Sequence, residues 1–541
     1  MPPDSAPEPA TERTHHEQHS KPKRAPSPWG VAPVPAAIAL VAFALIFTQT
    51  RHYGLLGYDS YPIIVTSRVQ SPADFTGNFT EKLMDGRYAH DFYRPLLNFS
   101  FALDYAIWRL QPVGCQLTNA LLFAACAVAL FALVRRLAGP RALIAPLAGM
   151  LFFLLHPTHF EVVPVPPRRA DLLCGLWLAL SLTCQLSPKA LAMKRPPILP
   201  AVFGLLAIAS KETGLILPAL AFLAVLLYSP RSSVWKRALH AAIAIVPQIV
   251  VAAAMVAARL AVLGSLGGHR LAGLGDGPVG FPSAIIEIAR RLISPQPVMQ
   301  ETSFAAWLAG GALLGLVITG VLMHAKRRSG NTAAVAARRP SRTGLFGILW
   351  VVLVSGTYVA AAQIEAWYLF LPVVGLAVFF AAATDALAGA LRRGRRPARV
   401  AATVTLLLLL GVACWQARYS PFFQKYDEYE RATTASSEFF EKLRTRIDAA
   451  LDGTAVVAPP LPRWVRPQPA KPTMFGAAVL ADYSVQAWAE LAYSDRRIRV
   501  VKGRPSTIGR PASDELVVVL RALRRGFDSA IPQVYPQPSP R

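Results

Sequence analysis

Stretches of about 20 mostly apolar residues recur along this chain from Ala32 to Trp415, with polar segments between them. A water-soluble domain cannot bury so many runs of this length. Each run can instead cross a bilayer as a helix whose backbone groups are satisfied internally. The charged fraction of only 16% and the mean hydropathy of +0.38 agree with that interpretation. The sequence therefore predicts an α-helical polytopic membrane protein.

The apolar runs predict about eleven transmembrane helices. Their approximate bounds are 32–49, 117–134, 142–156, 171–187, 197–209, 213–229, 238–263, 303–324, 344–363, 366–390 and 400–417. Only the polar residues Ser210, Lys211 and Glu212 separate the fifth span from the sixth.

The formal net charge of +25 would suggest a nucleic-acid partner for a soluble chain, but here its distribution follows the membrane topology. If the N-terminus is cytoplasmic, every second loop is basic, as the positive-inside rule requires. The basic residues of these loops are Arg135, Arg136, Arg141, Lys189, Lys194, Arg195, Arg231, Lys236, Arg237, Lys326, Arg327, Arg328, Arg338, Arg339, Arg342, Arg392, Arg393, Arg395, Arg396 and Arg399. Membrane lipids are therefore predicted partners and nucleic acid is not. We expect a multi-pass protein of a bacterial inner membrane, with its C-terminus outside the cytoplasm.

Composition divides the chain into three regions. Residues 1–28, rich in Pro, Glu, His and Ser, predict a disordered cytoplasmic tail. Residues 29–418 are the predicted transmembrane domain, with a long first outer loop over 50–95. Residues 419–541 have a mixed periodicity that predicts a small C-terminal extracytoplasmic α/β domain. In that domain we expect helices over 427–451 and 475–493 and strands over 454–458, 497–502 and 515–520.

Ionisable residues at the outer ends of the spans are candidate site residues, because charge near hydrocarbon is costly unless a site or a partner holds it. Asp59 stands alone in a tyrosine-rich stretch after the first span, and the alternative is an ordinary loop carboxylate. Arg94 precedes Pro95, which can begin a helix, and the alternative is an arginine that snorkels to the interface. The segment 94–110 is typical of an amphipathic helix lying in the outer interface.

Two further clusters follow along the chain. The first contains His156, His159 and Glu161, followed by Arg168, Arg169 and Asp171. Its loop is broken by proline and lacks the helical spacing of a metal site, so donation to an anion is favoured over metal binding. The second is the pair Lys211 and Glu212 between two spans. Lys211 is a candidate for binding phosphate, and a structural ion pair that closes a tight hairpin is the alternative.

An ordered set of short motifs resembles one family. The motifs are Tyr-Asp at 58–59, Arg-Pro-Leu at 94–96, His-Pro-x-His-x-Glu at 156–161, Arg-x-Asp-Leu-Leu at 169–173 and Ser-Lys-Glu-x-Gly at 210–214. They resemble the membrane region of the transmembrane and tetratricopeptide-repeat O-mannosyltransferases and their bacterial relatives, within the GT-C glycosyltransferase superfamily. The resemblance covers roughly residues 33–390.

This resemblance implies a GT-C-like fold and inverting transfer from a polyprenyl-phosphate sugar to an acceptor on the outer face, with Asp59 as the family's first acidic residue. The chain departs from the family pattern at three points. Ser60 stands where many relatives have a second acid, Trp367 stands where an arginine is usual, and the chain has no tetratricopeptide-repeat pattern.

The residues themselves suit displacement at an anomeric carbon with a phosphate leaving group. Asp59 is the predicted general base for an acceptor hydroxyl of a protein, glycan or lipid. The predicted donor-phosphate ligands are Arg94, His159, Arg169 and Lys211, supported by His156, Glu161, Asp171 and Glu212. Neither a cofactor nor a metal is predicted.

Two other classes of protein remain alternatives. A transporter or lipid flippase would also combine many spans with charges near the membrane, although the chain shows no convincing internal repeat. A non-catalytic envelope scaffold would use the C-terminal domain to bind partners, and the motif residues would then serve packing.

Overall fold

The computed structural model describes residues 33–86, 92–139, 142–192, 197–231, 233–265, 288–293, 309–321, 339–360, 366–420, 422–423, 427–465 and 477–501. Several predictions concern residues outside these ranges. They are the tail 1–28, the strand 515–520, most of the loop 264–302 and most of the basic loop 326–342. Within the described ranges helices dominate.

The described residues up to Tyr228 form ten helices. They are α1 (Pro33–Thr50), α2 (Ser60–Ser67), α3 (Pro72–Thr80), α4 (Pro95–Trp108), α5 (Pro112–Ala138), α6 (Ile144–Leu155), α7 (Arg169–Gln185), α8 (Pro188–Leu191), α9 (Ile198–Ser210) and α10 (Leu217–Tyr228). Short 3-10 helices at Leu83–Gly86, Pro157–Glu161, Pro166–Arg168 and Glu212–Ile216 connect several of them.

The remaining described residues add nine helices and four strands. The helices are α11 (Val234–Ala244), α12 (Val246–Leu263), α13 (288–293), α14 (Ala309–Val321), α15 (Arg339–Ala360), α16 (Phe370–Arg393), α17 (Arg396–Ala417), α18 (Asp427–Asp448) and α19 (Asp482–Ala492), with a 3-10 helix at Ala366–Leu369. The strands are β1 (Ala455–Val457), β2 (Trp464–Val465), β3 (Ala477–Ala478) and β4 (Arg499–Val501).

Six of the described helices are long and apolar enough to cross a membrane. They are α1, α5, α12, α15, α16 and α17. Shorter apolar helices lie at Ile144–Leu155, Ile198–Ser210, Glu212–Tyr228 and Ala309–Val321, where four more spans were expected. The chain is therefore a mostly helical multi-pass membrane protein, and the number of eleven spans stays a prediction.

One predicted span differs in the structure. Residues 238–263 were expected to form a single helix, but the chain forms α11 and α12, which meet at Ile245. Pro247 stands in the first turn of α12, and proline cannot continue a helix because it lacks the backbone N–H and its ring clashes with the preceding turn. The sequence shows this proline, but the continuous hydropathy of residues 238–263 favoured a single span.

The helical core is centred on α5 and α16. Two-thirds of the most apolar part of each helix is buried, so both lie inside the bundle. Close approach of α15 to α16 depends on glycine, because a Cβ on Gly347 would come within 2.7 Å of the Gly375 carbonyl oxygen. Beside this contact, the Trp350 indole donates a hydrogen bond of 2.9 Å to the Leu371 carbonyl.

A second hydrophobic core joins the C-terminal region to the first loop. It includes Leu56 and Ile63 near α2, Phe101 of α4, and Phe440 and Trp488 of α18 and α19. The rings of Phe440 and Trp488 stack with centroids 4.4 Å apart. This shared core places the C-terminal helices directly against residues 54–67.

Strands near the C-terminus form two small sheets. β1 pairs with β4 in parallel, with Val456 opposite Val500, and β2 pairs with β3 in an antiparallel manner. The helix expected over 475–493 begins only at Asp482, because residues 477–478 are in β3. The described part of 419–541 thus combines helices and strands, and its status as a separate α/β domain stays a prediction.

Candidate functional site

Asp59 lies at the start of α2, directly after a tight turn. Gly57 in this turn has a φ of +91°, which favours glycine, and a Cβ there would lie 2.8 Å from the side chain of Val165. Asp59 precedes the first helical residue without capping the helix through its side chain. Its carboxylate is half-buried and accepts a hydrogen bond of 2.8 Å from the Tyr483 hydroxyl.

The surroundings of Asp59 act on its pKa in opposing directions. Burial raises the pKa of this carboxyl above its ordinary value, because an ionised carboxylate loses hydration. The Tyr483 hydrogen bond and the charges of Arg94 and Arg168 partly offset that effect. A carboxylate with a raised pKa is a stronger base than one in water, so Asp59 is suited to accepting a proton.

Arg94 and Glu212 form a two-point ion pair. The Arg94 Nε lies 3.0 Å from Glu212 Oε2, and Nη2 lies 2.5 Å from Oε1. The guanidinium carbon is also 4.5 Å from the centre of the Phe92 ring. The pair connects the start of α4 with the chain between α9 and α10, and within the described ranges no acceptor meets the Arg94 Nη1.

Lys211 pairs with Asp171 at a separation of 2.5 Å. Both side chains are almost fully buried, at 4% and 3% exposure. The ammonium group lies 4.8 Å from the centre of the Tyr368 ring. The ion pair expected as the alternative for Lys211 therefore exists, but with Asp171 of α7 rather than with the adjacent Glu212.

The glycine of the Ser-Lys-Glu-x-Gly motif has a steric function. A Cβ on Gly214 would lie 2.7 Å from the carbonyl carbon of Ala207, so only glycine lets the chain return this closely to α9. Lys211 itself is extended, with φ −158° and ψ 140°. The motif thus interrupts the helix, turns Lys211 towards α7 and turns Glu212 towards α4.

The two histidines have different surroundings from those expected. His156 accepts a hydrogen bond from the Thr158 backbone N–H and lies 3.1 Å from the Leu292 carbonyl oxygen. His159 contacts the Phe153 carbonyl and the rings of Phe123 and Phe370. Both imidazoles are fully buried. Burial lowers the pKa of His156 to about 4 and that of His159 well below its usual value, so neither ring carries charge at neutral pH.

Arg168, rather than its neighbour, lies near Asp59. Its guanidinium binds the Glu161 carboxylate and lies 3.9 Å from the centre of the Trp367 ring. Only the Nη1 nitrogen makes these hydrogen bonds, to the carboxylate and to the Glu161 carbonyl. Arg168 was absent from the predicted ligands. Its position in the same His-to-Asp cluster was the available signal, but a sequence does not show which of two adjacent arginines points to the site.

Arg169 lies in a separate buried cluster. Its nitrogens donate to Asp104 at 2.5 Å, to Asn119 at 2.8 Å, to Ser100 and to the Cys115 carbonyl. The side chain is fully buried, and every guanidinium nitrogen has a protein acceptor. This arrangement joins α4, α5 and α7. It gives Arg169 a role in holding these helices together.

The structure therefore brings together most of the predicted charged residues as pairs. The acid–cation cluster consists of Asp59, the pairs Arg94–Glu212, Arg168–Glu161 and Lys211–Asp171, and the hydroxyl of Tyr483. Among the residues that the structure describes, no group of three or more His, Cys, Asp or Glu side chains is arranged to hold a metal ion. The fold and the site define a multi-pass membrane protein with a half-buried carboxylate beside several cations.

Sequence comparison relates part of this chain to O-mannosyltransferases. Human Protein O-mannosyl-transferase TMTC2 is 36% identical over 110 residues, which are 20% of this chain and 13% of that protein. Human TMTC4 is 29% identical over 181 residues, which are 30% of this chain and 24% of that protein. The matched segments are thus less than a quarter of these relatives. They confirm the resemblance to O-mannosyltransferases that the motifs predicted. No protein-family model matches the chain.

Comparison with solved structures gives two broad alignments. The apo crystal structure of ArnT from Cupriavidus metallidurans aligns over 79% of this chain and 82% of that chain, with a TM-score of 0.46 and 14% identity. The archaeal oligosaccharyltransferase AglB from Archaeoglobus fulgidus aligns over 87% of this chain and 64% of that chain, with a TM-score of 0.41 and 13% identity.

Proposed function

We propose that this protein is a membrane glycosyltransferase. It transfers a sugar from a polyprenyl-phosphate donor to an acceptor hydroxyl of a protein, glycan or lipid on the outer face of the membrane. The observation that carries the proposal is the half-buried Asp59, whose raised pKa suits a base and whose charge interacts with Arg94 and Arg168. The local sequence similarity to O-mannosyltransferases supports the same reaction class.

In the proposed reaction, the acceptor oxygen attacks the anomeric carbon from the face opposite the phosphate. Asp59 takes the hydroxyl proton as the new C–O bond forms. The bond between the anomeric carbon and the phosphate oxygen breaks, and the polyprenyl phosphate leaves with its electron pair. A phosphate is a good leaving group at neutral pH, so one carboxylate is sufficient, in contrast to the two carboxylates of glycoside hydrolysis. The anomeric configuration inverts because the acceptor attacks from the opposite face in a single displacement.

The proposed phosphate ligands are the cations whose N–H groups are not all hydrogen-bonded within the described residues. Among the residues that the structure describes, Arg94 Nη1, Arg168 Nε and Nη2, and two of the three Lys211 ammonium protons have no acceptor after each cation has paired with one carboxylate. These three cations are the proposed phosphate ligands, because oriented positive charge stabilises the charge that develops on the leaving group. Arg169 has no unused nitrogen and His159 is uncharged, so both are left out of this set.

The acidic partners keep these cations in place. Glu212 orients Arg94, Glu161 orients Arg168, and Asp171 orients Lys211. A cation already held in position loses little freedom when the donor binds, so the pairs make the site ready for the phosphate. His156, which was predicted as a supporting residue, lies beside His159 and 3.1 Å from the Leu292 carbonyl oxygen.

The decisive experiment uses the purified full-length protein in lipid nanodiscs. Radiolabelled polyprenyl-phosphate mannose is supplied with peptide, glycan and lipid acceptors, and labelled product is measured. We expect transfer by the wild type and at least a 100-fold loss in Asp59→Asn, because a neutral amide cannot take the proton. Asp495→Asn is the matched control, since Asp495 is an exposed acid in a turn.

The other protein classes give different results with the same labelled donor when the protein is reconstituted into proteoliposomes. Movement of the labelled donor across a proteoliposome bilayer without product would indicate a transporter, and neither movement nor product would indicate a scaffold. Normal turnover by a correctly inserted Asp59→Asn protein would reject Asp59 as the base. Lys211→Ala should raise the donor concentration needed for half-maximal rate, and an unchanged donor dependence would remove Lys211 from the phosphate ligands.

A further inference from the structure

Asp59 receives a side chain from the far end of the sequence. Tyr483 lies in the first turn of α19, and 424 positions separate it from Asp59 along the chain. Its hydroxyl donates to the Oδ1 oxygen of Asp59 at 2.8 Å. No local sequence signal links the two residues, so this contact exists only because the C-terminal region packs on the first loop.

Several contacts fix α19 in this position. Ser484, which is fully buried, makes a hydrogen bond to the Tyr58 carbonyl, and the Gly57 N–H donates to the Ala478 carbonyl at 3.2 Å. On the other side of Tyr483, Asp482 pairs with Arg463 at 2.9 Å. Residues on both sides of Tyr483 are therefore held, which fixes the backbone position from which its side chain reaches Asp59.

We propose that Tyr483 is a positioning residue of the Asp59 site. Its hydroxyl fixes the orientation of the carboxylate through Oδ1 and leaves Oδ2 to face the acceptor hydroxyl. The same hydrogen bond stabilises the ionised form of Asp59 against the cost of burial. This proposal rests on the proposed glycosyl transfer, and it makes the C-terminal region a part of the site rather than an appendage.

A neighbouring tyrosine provides a matched control. Tyr493, at the other end of α19, donates to the Oδ1 oxygen of Asp448 at 2.7 Å, and this second pair lies on the surface. Tyr483→Phe and Tyr493→Phe therefore each remove one tyrosine–aspartate hydrogen bond while they keep the ring. Only the first substitution changes the surroundings of Asp59.

The test measures the protonation of Asp59 without relying on turnover. The full-length protein in nanodiscs is treated with a hydrophobic carbodiimide, which reacts with protonated carboxyl groups, and modification of Asp59 is quantified by peptide mass spectrometry from pH 4 to pH 8. Asp59→Asn shows which signal belongs to this residue. Loss of the hydrogen bond in Tyr483→Phe should move the labelling midpoint upward by about one pH unit. Tyr493→Phe should leave the midpoint unchanged.

Transfer assays complete the test. Below the shifted midpoint, kcat of Tyr483→Phe should fall about tenfold while the donor KM stays constant, since the phosphate ligands are intact. Ser484→Ala, which loosens the same junction, should shift labelling in the same direction by a smaller amount. A Tyr483→Phe protein with wild-type labelling and a wild-type pH–rate profile would overturn the proposal, as would a labelling shift without any change in the pH–rate profile.

The two proposals fail in different ways. If the wild type transfers no sugar under any condition, the glycosyltransferase proposal fails. The labelling midpoints of the variants would still decide whether Tyr483 holds the Asp59 carboxylate. If the wild type is active and Tyr483→Phe matches Tyr493→Phe in every measurement, only the positioning role is rejected.

Discussion

The Arg94 guanidinium and the Glu212 carboxylate meet through two parallel hydrogen bonds, of 3.0 and 2.5 Å, that connect the start of α4 to the chain between α9 and α10. Both side chains keep some contact with solvent, with 15% and 27% exposure. Such a two-point pair is stronger and more directional than a single ion pair. It fixes Arg94 while one of its nitrogens remains available to a ligand.

Glu212→Gln should therefore weaken the protein and disturb the site. The neutral amide has only one oxygen to accept from the two Arg94 nitrogens, and it carries no negative charge to balance the partly buried guanidinium. We expect a loss of about 1–3 kcal/mol in the free energy of unfolding, measured by denaturant titration in detergent. A double-mutant cycle with Arg94→Gln should give a coupling of about 1 kcal/mol or more. Additive effects of the two substitutions would show that the pair contributes no interaction energy.

The raised pKa of Asp59 predicts the pH dependence of transfer. Only the ionised carboxylate can accept a proton, so activity is lost as the pH falls through the folded-state pKa and is full above it. Because burial raises that pKa above 3.8, the acidic limb of kcat/KM should lie at a higher pH than for an ordinary aspartate. The rate should fall about tenfold per pH unit below the midpoint.

Arg168→Gln tests the sign of that prediction. The charge of Arg168 lowers the Asp59 pKa, so its removal should move the acidic limb to still higher pH. The midpoint is obtained from initial rates at saturating and limiting donor. A shift toward lower pH would contradict the assigned electrostatic contact.

The sequence predicted the helical class and most helix positions, because runs of apolar residues report directly on burial in hydrocarbon. It also selected Asp59, Arg94, Lys211 and their acidic neighbours as candidate site residues, since charges next to spans are rare, and their functional roles stay predictions. These predictions required only local composition. The break at Ile245 was missed because hydropathy averages over the proline that causes it.

The partners of these charges could not be predicted in the same way. Lys211 forms an ion pair with Asp171, and Glu212 forms one with Arg94, although Lys211 and Glu212 are adjacent in the sequence. Adjacent residues on an extended or 3-10 segment point in different directions, and the packing of α4, α7 and α9 decides what each one meets. Tyr483 was missed for the same reason, because its contact with Asp59 depends wholly on tertiary structure.

The neighbours Arg168 and Arg169 should respond differently to the same substitution. Arg169→Gln should destabilise the protein by about 3–5 kcal/mol, because Asp104 would keep a buried, unpaired charge. Arg168→Gln should also cost stability, because Glu161 at 3% exposure loses its cation, but unlike Arg169→Gln it should raise the donor KM. Thermal unfolding and donor titration on both variants give the comparison. An equal rise in the donor KM of both variants would contradict the separation of the two arginines.

Gly214→Ala should destabilise the turn that separates Lys211 from Glu212. The added methyl group would lie 2.7 Å from backbone atoms of Ala207, which cannot move aside as a side chain could. We expect a loss of about 1–3 kcal/mol in the free energy of unfolding, together with reduced transfer activity. Gly356→Ala in α15 is the control, because a Cβ there meets no atom within 4 Å. A neutral Gly214→Ala would show that the turn can relax.

The exposed face of α4 should lie in the membrane interface. Phe99, Leu103 and Ile107 repeat at a spacing of four residues and are 36%, 52% and 60% exposed, while Asp104, outside this stripe, is buried. Phe75 and Phe79 of α3 extend this apolar surface, with their rings 6.3 and 5.9 Å from that of Phe99.

A tryptophan at position 99 can report on this location. In a variant from which the ten native tryptophans have been replaced, Phe99→Trp should show blue-shifted emission in nanodiscs and quenching by lipids brominated near the headgroup. Tryptophan at the exposed residue Leu451 of the C-terminal region should show neither effect. Quenching of Phe99→Trp by a water-soluble quencher alone would place this face in water, and α4 would then need another partner for its apolar side chains.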